Sequence, residues 1–571
     1  MGIIQFKEAN CKNCYKCIRS CPVKAITFQQ DQARIVEEDC MLCGNCLKVC
    51  PQNAKTVKSD LEIIKKFIQK KEKVYVSLAP SFIAAFEQNQ GEALFYALKK
   101  LGFTYIEETA VGAAEVSKQY ERLLQEKKMK NIITTSCPSV NFLIEKYYPD
   151  LICQMAPVVS PMIAHAKMLR ETYGQRIRVV FIGPCLSKKD ECNDMQNEGM
   201  VDAVLTFEEL STWLNTEGLY HNGEFAEDIK ASKDMTARIY PVPGGILKTI
   251  NNKYKTNYKC ISIDGVERCM RILDSLQKED IENYFIEMNS CTDSCINGPC
   301  MNEIPGGFLA ARERLIDYVR KAPGTTNQLL DMGTKVNLKK KFINRTKQQK
   351  EPSEASIQAI LNSVGKYSKD KELNCGTCGY PTCRDKAIAV YYNKAQLHMC
   401  LPFMRERAES ISNLIINTTP NAIFALDHEL RIQEINTSAR EKFRLTKEEV
   451  IGEYIYTLLP SEDFIDVFES GESIYDNKYY YEKYQMTVIQ STISIPEQNI
   501  IIVIMKDISE EESFRLKMHQ IRKENVEITQ KVIEKQMRVA QEVASLLGET
   551  TAETKVALTK LKKSIMDEMS D

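Results

Sequence analysis

Two cysteine runs constrain this chain more than any other feature. "CKNCYKCIRSCP" (residues 11–22) and "CMLCGNCLKVCP" (residues 40–51) both read C-x2-C-x2-C-x3-C-P. Thiolates two residues apart on a tight turn can converge on one metal centre. The chain holds 21 cysteines, and its opening "MGIIQFKEAN" lacks the apolar core of a signal peptide. Disulfides rarely persist in a reducing cytosol, so the expectation is metal ligation in a cytoplasmic protein. The longest apolar run, "IIIVIM" at 500–505, is far below the ~20 residues of a membrane helix, so no membrane partner is expected. Charges nearly cancel, with 76 Lys+Arg against 77 Asp+Glu, and no global field argues for nucleic acid. At 571 residues, with roughly 100–200 per domain, several independent modules are expected.

The double run resembles a bacterial two-cluster ferredoxin, over residues 1–58. On that resemblance Cys11, Cys14, Cys17 and Cys50 hold one 4Fe-4S cluster, and Cys40, Cys43, Cys46 and Cys21 hold the second. A pair of zinc sites is the bland alternative, but it asks for neither the double run nor its prolines. A third group, within residues 353–405, is spaced C-x2-C-x4-C-x16-C. Cys375, Cys378 and Cys383 lie on a Gly/Pro-rich loop, and Cys400 follows a helix-like stretch. It resembles a small 4Fe-4S domain of redox and sensory proteins, with a zinc knuckle as the alternative. His398, near the last ligand, reads as a surface or packing residue.

Over residues 74–322 apolar runs such as "KVYVSLA" and "IRVVFIG" alternate with helical patterns such as "SPMIAHAKMLRETYG", which implies an α/β core. "TTSCPS", "IGPCLSKK" and "NSCTDSCINGPC" lie at element ends, where loops gather distant side chains. These three segments resemble, in order, the three H-cluster signatures of FeFe-hydrogenases, and "SLAPSFIAA" and "VPGGILKT" match two further family segments. The resemblance implies a 4Fe-4S cube on Cys137, Cys185, Cys291 and Cys295. It makes Cys295 the bridge to a diiron subsite carrying carbon monoxide and cyanide. Lys188 would donate to one cyanide, and Ala79, Pro80 and Ser81 would cradle the other. Cys153, Cys192, Cys260, Cys269 and Cys300 read as small packing residues.

The chain departs from the family's catalytic members in three places. Ser136 replaces the cysteine that carries protons beside the diiron unit, and a hydroxyl is far less acidic than a thiol of pKa roughly 8.5. Aligned without gaps on "VGA", the two glutamates of the family proton path fall on Tyr120 and Leu123, leaving Ser160, which matches a path serine, without partners. Two methionines that pack beside the diiron unit correspond to Gly183 and Asn289, which suggests a more open or more polar pocket.

A basic polar stretch within residues 323–352 reads as a solvated linker. Residues 406–510 resemble a PAS domain, with the turn at Asn436 and the closing "VIMKDIS" strand; His428 there reads as surface. Residues 511–571 are helical, with Phe514, Met518, Ile521, Asn525, Ile528 and Val532 alternating four and three apart, the seam of a short parallel coiled coil. The expected fold is therefore multidomain α/β: a ferredoxin-like dicluster domain, an α/β H-cluster domain, a small 4Fe-4S domain, an α+β PAS domain and a coiled-coil helix. This order resembles the sensory FeFe-hydrogenases. The implied partners are hydrogen and protons, a ferredoxin-type redox protein, a second copy of the chain through PAS and coiled coil, and a separate kinase or phosphatase. A ferredoxin-linked catalytic hydrogenase and an iron-sulfur redox sensor without the diiron site are the alternatives.

Overall fold

The structure, a computed structural model, describes residues 2–567 apart from 8–9, 30–31, 87–89, 220–235, 303–305, 322–335, 348–349, 461 and 548–550. It divides into two units, residues 1–403 and 404–571.

The first unit opens with a duplicated cysteine module. Strand β1 (Ile4–Phe6) pairs antiparallel with β4 (Lys55–Val57), and β2 (Ile26–Gln29) pairs antiparallel with β3 (Gln32–Ile35). The cysteine loops need left-handed backbone at equivalent places of each repeat: Asn13 with Leu42, Tyr15 with Gly44, and Lys24 with Asn53. Such turns let thiols spaced two apart face one point.

The centre holds two parallel sheets. One has the order β6 (Tyr105–Glu108), β5 (Val74–Leu78), β8 (Arg178–Gly183), β9 (Ala203–Thr206); the other has the order β10 (Lys259–Asp264), β11 (Tyr284–Asn289), β7 (Ile132–Ile133). β5 is buried along its whole length, as a strand covered on both faces must be. The helices that frame the site are α1 (Ala110–Glu126), α2 (Pro138–Tyr147), α3 (Pro161–Tyr173) and α4 (Ser187–Glu191). Gly112 lets α1 and α3 touch: a Cβ there would lie 2.4 Å from Pro161 O and 2.6 Å from His165 N.

The stretch expected to be a solvated linker is docked where it is described; residues 323–335 and 348–349 of it lie outside the described residues. Leu338 is buried in the central core, Val159 N donates to Leu338 O at 2.9 Å, and Lys340 pairs with Asp194 at 3.0 Å. One apolar side chain and a few backbone bonds are enough to pin a strap whose remaining residues are charged.

The second unit contains a five-stranded antiparallel sheet: β13 (Ile432–Ile435), β12 (Ala422–Leu426), β16 (Ile500–Asp507), β15 (Met486–Ile495), β14 (Ile474–Tyr481). Alternate residues of β15 are buried, the period of a sheet with one wet face. Its core contains Phe424, Phe443, Ile455, Phe464, Val488 and Val503. Asn436 caps the helix Thr437–Phe443 by accepting from Ala439 N at 2.9 Å, and its amide donates to Ile416 O and Asn421 O. Helix α5 (Ser509–Leu547) then leaves the sheet.

Candidate active site

Five parallel strands end at one cavity, the place where open α/β sheets gather ligands. β5 runs into Ala79, Pro80 and Ser81, β6 into Thr109, β7 into Ser136 and Cys137, β8 into Cys185, and β11 into Ser290 and Cys291. These residues line the cavity together with Lys188, Asn289 and Cys295. Ser160 and Gly183, named with them from sequence, are not among its lining residues.

The donors suit a cationic iron-sulfur centre. Burial, and then the proximity of the thiols to one another, pushes Cys185, Cys291 and Cys295 above the ordinary thiol range, so four bare thiolates would be costly here. Ser290 Oγ lies 3.5 Å from Cys137 Sγ and Ser187 Oγ 3.0 Å from Cys185 Sγ. Lys188 on α4 donates to Glu191 Oε2 at 2.7 Å and to Ser136 O at 3.3 Å. Ser81 is buried, lines the cavity, and its hydroxyl has no partner among the described residues. A buried hydroxyl so placed calls for an acceptor in the cavity.

The other cysteines gather into three further groups. Cys11, Cys14, Cys17 and Cys50 line one cavity, and Cys375, Cys378, Cys383 and Cys400 line another. Cys43 lies within electrostatic reach of Cys21, Cys46 and Cys40. Backbone N–H groups of Ala25, Leu42 and Ala54 point at the sulfurs of Cys21, Cys40 and Cys50, as suits thiolate ligands. The groups abut: Gly44, beside Cys43, stands against Pro299, and Gly379, beside Cys378, stands against Ile18 and Arg19. Cys192, Cys269 and Cys300 are buried as expected of packing residues, and Cys260 is half-buried. Cys153 is a correction: it is exposed at the end of the turn Pro149–Gln154, where its side chain leaves the core.

Sequence comparison bears on the cavity directly. A family model for the iron only hydrogenase large subunit, C-terminal domain, matches residues 72–299, a span that contains every residue lining it. Residues 72–299 are FeFe-hydrogenase-like. Further models match a 4Fe-4S dicluster domain at 10–54, an Fe-S cluster domain at 372–402 and a PAS fold at 413–489. The periplasmic iron hydrogenase large subunit of Nitratidesulfovibrio vulgaris is 28% identical over 382 residues, covering 55% of this chain and 89% of that protein. Iron hydrogenase 1 of Clostridium pasteurianum is 24% identical over 308 residues, 42% of this chain and 52% of that protein. The cytosolic Fe-S cluster assembly factor NAR1 of Vanderwaltozyma polyspora is 27% identical over 164 residues, 27% and 31% of the two chains.

The departures of this FeFe-hydrogenase-like region have a structural form that sequence reading only partly foresaw. Tyr120 does face Ser136: the two oxygens are 3.1 Å apart, and Thr135 N donates to the phenol at 3.1 Å. Burial raises the Tyr120 phenol above its ordinary value, so this pair stays neutral. Ser160 is not without a partner: its hydroxyl donates to Glu191 Oε2 at 2.9 Å. Sequence reading missed Glu191, although it stands three residues after Lys188, the spacing of helix neighbours. Nor is the pocket opened by Gly183, because the Phe181 ring fills the space: a Cβ on Gly183 would meet it at 2.7 Å. Asn289 does make the wall polar, its amide donating to Ser294 Oγ at 3.2 Å and toward Glu287 Oε1 at 3.4 Å. Burial pushes the Glu287 carboxyl up to about 7.

Proposed function

We propose that the chain is a sensory FeFe-hydrogenase that binds or slowly oxidises hydrogen and reports the event through its PAS domain and C-terminal helix. In this reading Cys137, Cys185, Cys291 and Cys295 would hold a 4Fe-4S cube, and Cys295 would also hold a diiron subsite with carbon monoxide and cyanide ligands. The bound group supplies the redox-active iron at which hydrogen is split into protons and electrons. Lys188, oriented by Glu191, offers an ammonium to one cyanide. Ala79, Pro80 and the unpartnered hydroxyl of Ser81 face the other. Three more 4Fe-4S clusters fall on Cys11, Cys14, Cys17 and Cys50; on Cys21, Cys40, Cys43 and Cys46; and on Cys375, Cys378, Cys383 and Cys400. They exchange electrons with a ferredoxin-type partner. The count of thiols favours the cytoplasm; among the described residues no helix is long and apolar enough to cross a membrane.

The observation that carries the sensory reading is the contact of Ser136 with Tyr120. The groups suited to hold the cofactor are kept, while the acidic pair of a fast proton carrier is replaced by two hydroxyls that keep their protons. Helix Leu401–Thr418 begins at the residue after Cys400, so strain at that ligand enters the PAS sequence directly. The readout is then a homodimer through PAS and α5, and a separate kinase or phosphatase.

Infrared spectroscopy of the anaerobically matured protein tests this. Carbonyl and cyanide bands that shift under hydrogen, with turnover well below the order of 10³ s⁻¹, are expected. Shifting bands with turnover at or above that rate would make the chain a ferredoxin-linked catalyst. Absent bands would leave an iron-sulfur redox sensor.

A further inference from the structure

His165 is completely buried on α3 beside a carboxylate, and nothing assigned above uses it. Its Nδ1 lies 2.8 Å from Ser77 Oγ on β5, and its Nε2 lies 3.0 Å from Glu107 Oε2 on β6. Ser77 Oγ lies 2.7 Å from Thr109 Oγ1, and Thr109 lines the cavity that holds Cys137 and Ser136. At the other end the phenol of Tyr105 interacts with Glu107 and with Tyr173, and Tyr173 is 39% exposed. Polar atoms therefore run from the cavity to the surface through a core otherwise built of residues such as Val76, Leu78 and Ile163.

Packing alone does not account for this row. A threonine at the start of a helix ordinarily turns its hydroxyl onto the first-turn N–H groups. Thr109 stands at the start of α1 and makes no such bond; its hydroxyl is given to Ser77 instead. Burying an imidazole and a carboxylate costs desolvation that an apolar pair would not. The missing Cβ of Gly112 lets α1 pass directly against His165 N.

The partners fix the direction of each bond. A carboxylate accepts, so Nε2 carries the hydrogen and donates to Glu107. Nδ1 is then free to accept from the Ser77 hydroxyl, whose oxygen accepts from Thr109. We propose that Thr109, Ser77, His165 and Glu107 form a proton relay between the cavity and the surface, in place of the carboxylate route that Tyr120 and Leu123 interrupt. The relay rests on the reading of the cavity as a hydrogen-reacting site. A proton taken up at Thr109 Oγ1 releases the hydroxyl proton to Ser77, Ser77 releases its own to Nδ1, and the Nε2 proton passes to Glu107. Glu107 yields it to water, past Tyr105 and Tyr173. One proton enters and one leaves, and no electron moves along this row; electrons leave through the iron-sulfur clusters.

Two measurements on the full chain test the relay. The first is exchange of the His165 C2 hydrogen with deuterium, followed by mass spectrometry on protein carrying only its 4Fe-4S clusters. Glu107 is the titratable group bonded to the imidazole among the described residues, with Tyr105 and Tyr173 behind it; from α1 the neighbour is Gly112. Measurable exchange in wild type, slowed in Glu107→Gln because the path to the surface is cut, is expected. A His165 whose C2 hydrogen does not exchange is sealed from protons and overturns the relay. The second is hydrogen–deuterium oxide exchange by matured protein: Thr109→Val is expected to lose about tenfold or more with its infrared bands unchanged, and Thr109→Ser to recover. Bands present with rates equal in all three overturn the relay and leave the hydrogen reading standing. If wild-type protein shows no bands, the hydrogen reading fails, and an exchanging His165 then supports only a proton path to a cavity of other use.

Discussion

Ser136 and Tyr120 decide how this cavity differs from one that turns hydrogen over quickly. Their oxygens bond to each other, and burial holds the phenol protonated, so neither ionises to store a proton at the cavity. Ser136→Cys restores a group of pKa roughly 8.5 and is expected to raise hydrogen–deuterium exchange about tenfold or more, measured on matured protein. Ser81 carries the opposite kind of information. Its hydroxyl is buried and unpartnered, which costs about 1–3 kcal/mol. Ser81→Ala should therefore raise the melting temperature of the chain that lacks the diiron group, while weakening or shifting the cyanide bands of matured protein. A variant less stable than wild type would show that the hydroxyl has another partner. Glu287 adds a pH dependence. Its carboxyl is raised to about 7, above its ordinary 4.5, with Tyr120 and Tyr240 as nearby ionisable groups. The fold therefore binds a proton there that the unfolded chain does not, so stability is gained as pH falls from about 7 toward 4.5. The melting temperature of wild type should rise relative to Glu287→Gln over that window.

Among elements, the ends of the parallel strands do most to assemble the site. Side chains far apart in sequence, such as Ser81, Cys137, Cys185 and Cys291, meet because their strands end at the same level. The fit behind them is close. Gly183→Ala would press a methyl onto the Phe181 ring and Ala79 and should cost about 1–3 kcal/mol, read by denaturant unfolding. In the second unit Asn436 joins three pieces, capping Thr437–Phe443 and holding Ile416 O and Asn421 O. Asn436→Ala should cost about 1 kcal/mol or more. It should also speed amide exchange in the last turn of helix Leu401–Thr418, the segment through which a change at Cys400 would have to pass.

For the whole molecule, the sensory reading makes two demands. Hydrogen must change the second unit, so hydrogen-exchange protection of residues 406–540 should differ between matured protein under hydrogen and under argon; identical protection would remove the signalling half of the proposal. The chain should also pair. Phe514, Met518, Ile521, Ile528 and Val532 form an exposed apolar seam along α5, interrupted by Asn525, a polar residue of the kind that fixes register in two-stranded coils. Light scattering should give a dimer for wild type and a lighter species for a variant with Ile521→Lys and Ile528→Lys.

The sequence by itself determined the cysteine groups and the order of the modules, because both are written in local spacing. Cysteines two apart on tight turns, Lys188 three after Cys185, alternating apolar strands and a four-three helical seam all express geometry that a short segment imposes on itself. A gapless count along α1 put Tyr120 and Leu123 at proton-path positions, but the contact of Tyr120 with Ser136 came from the structure. Tertiary structure alone decided what surrounds those ligands. Glu191 under Lys188, Phe181 filling the space beside Gly183, Leu338 pinning a strap that reads as solvent-exposed, and the row Thr109, Ser77, His165, Glu107 all join residues with no fixed spacing between them. Their meeting depends on how strands and helices pack, and packing is settled by the sum of many weak contacts across the chain, which no local pattern encodes.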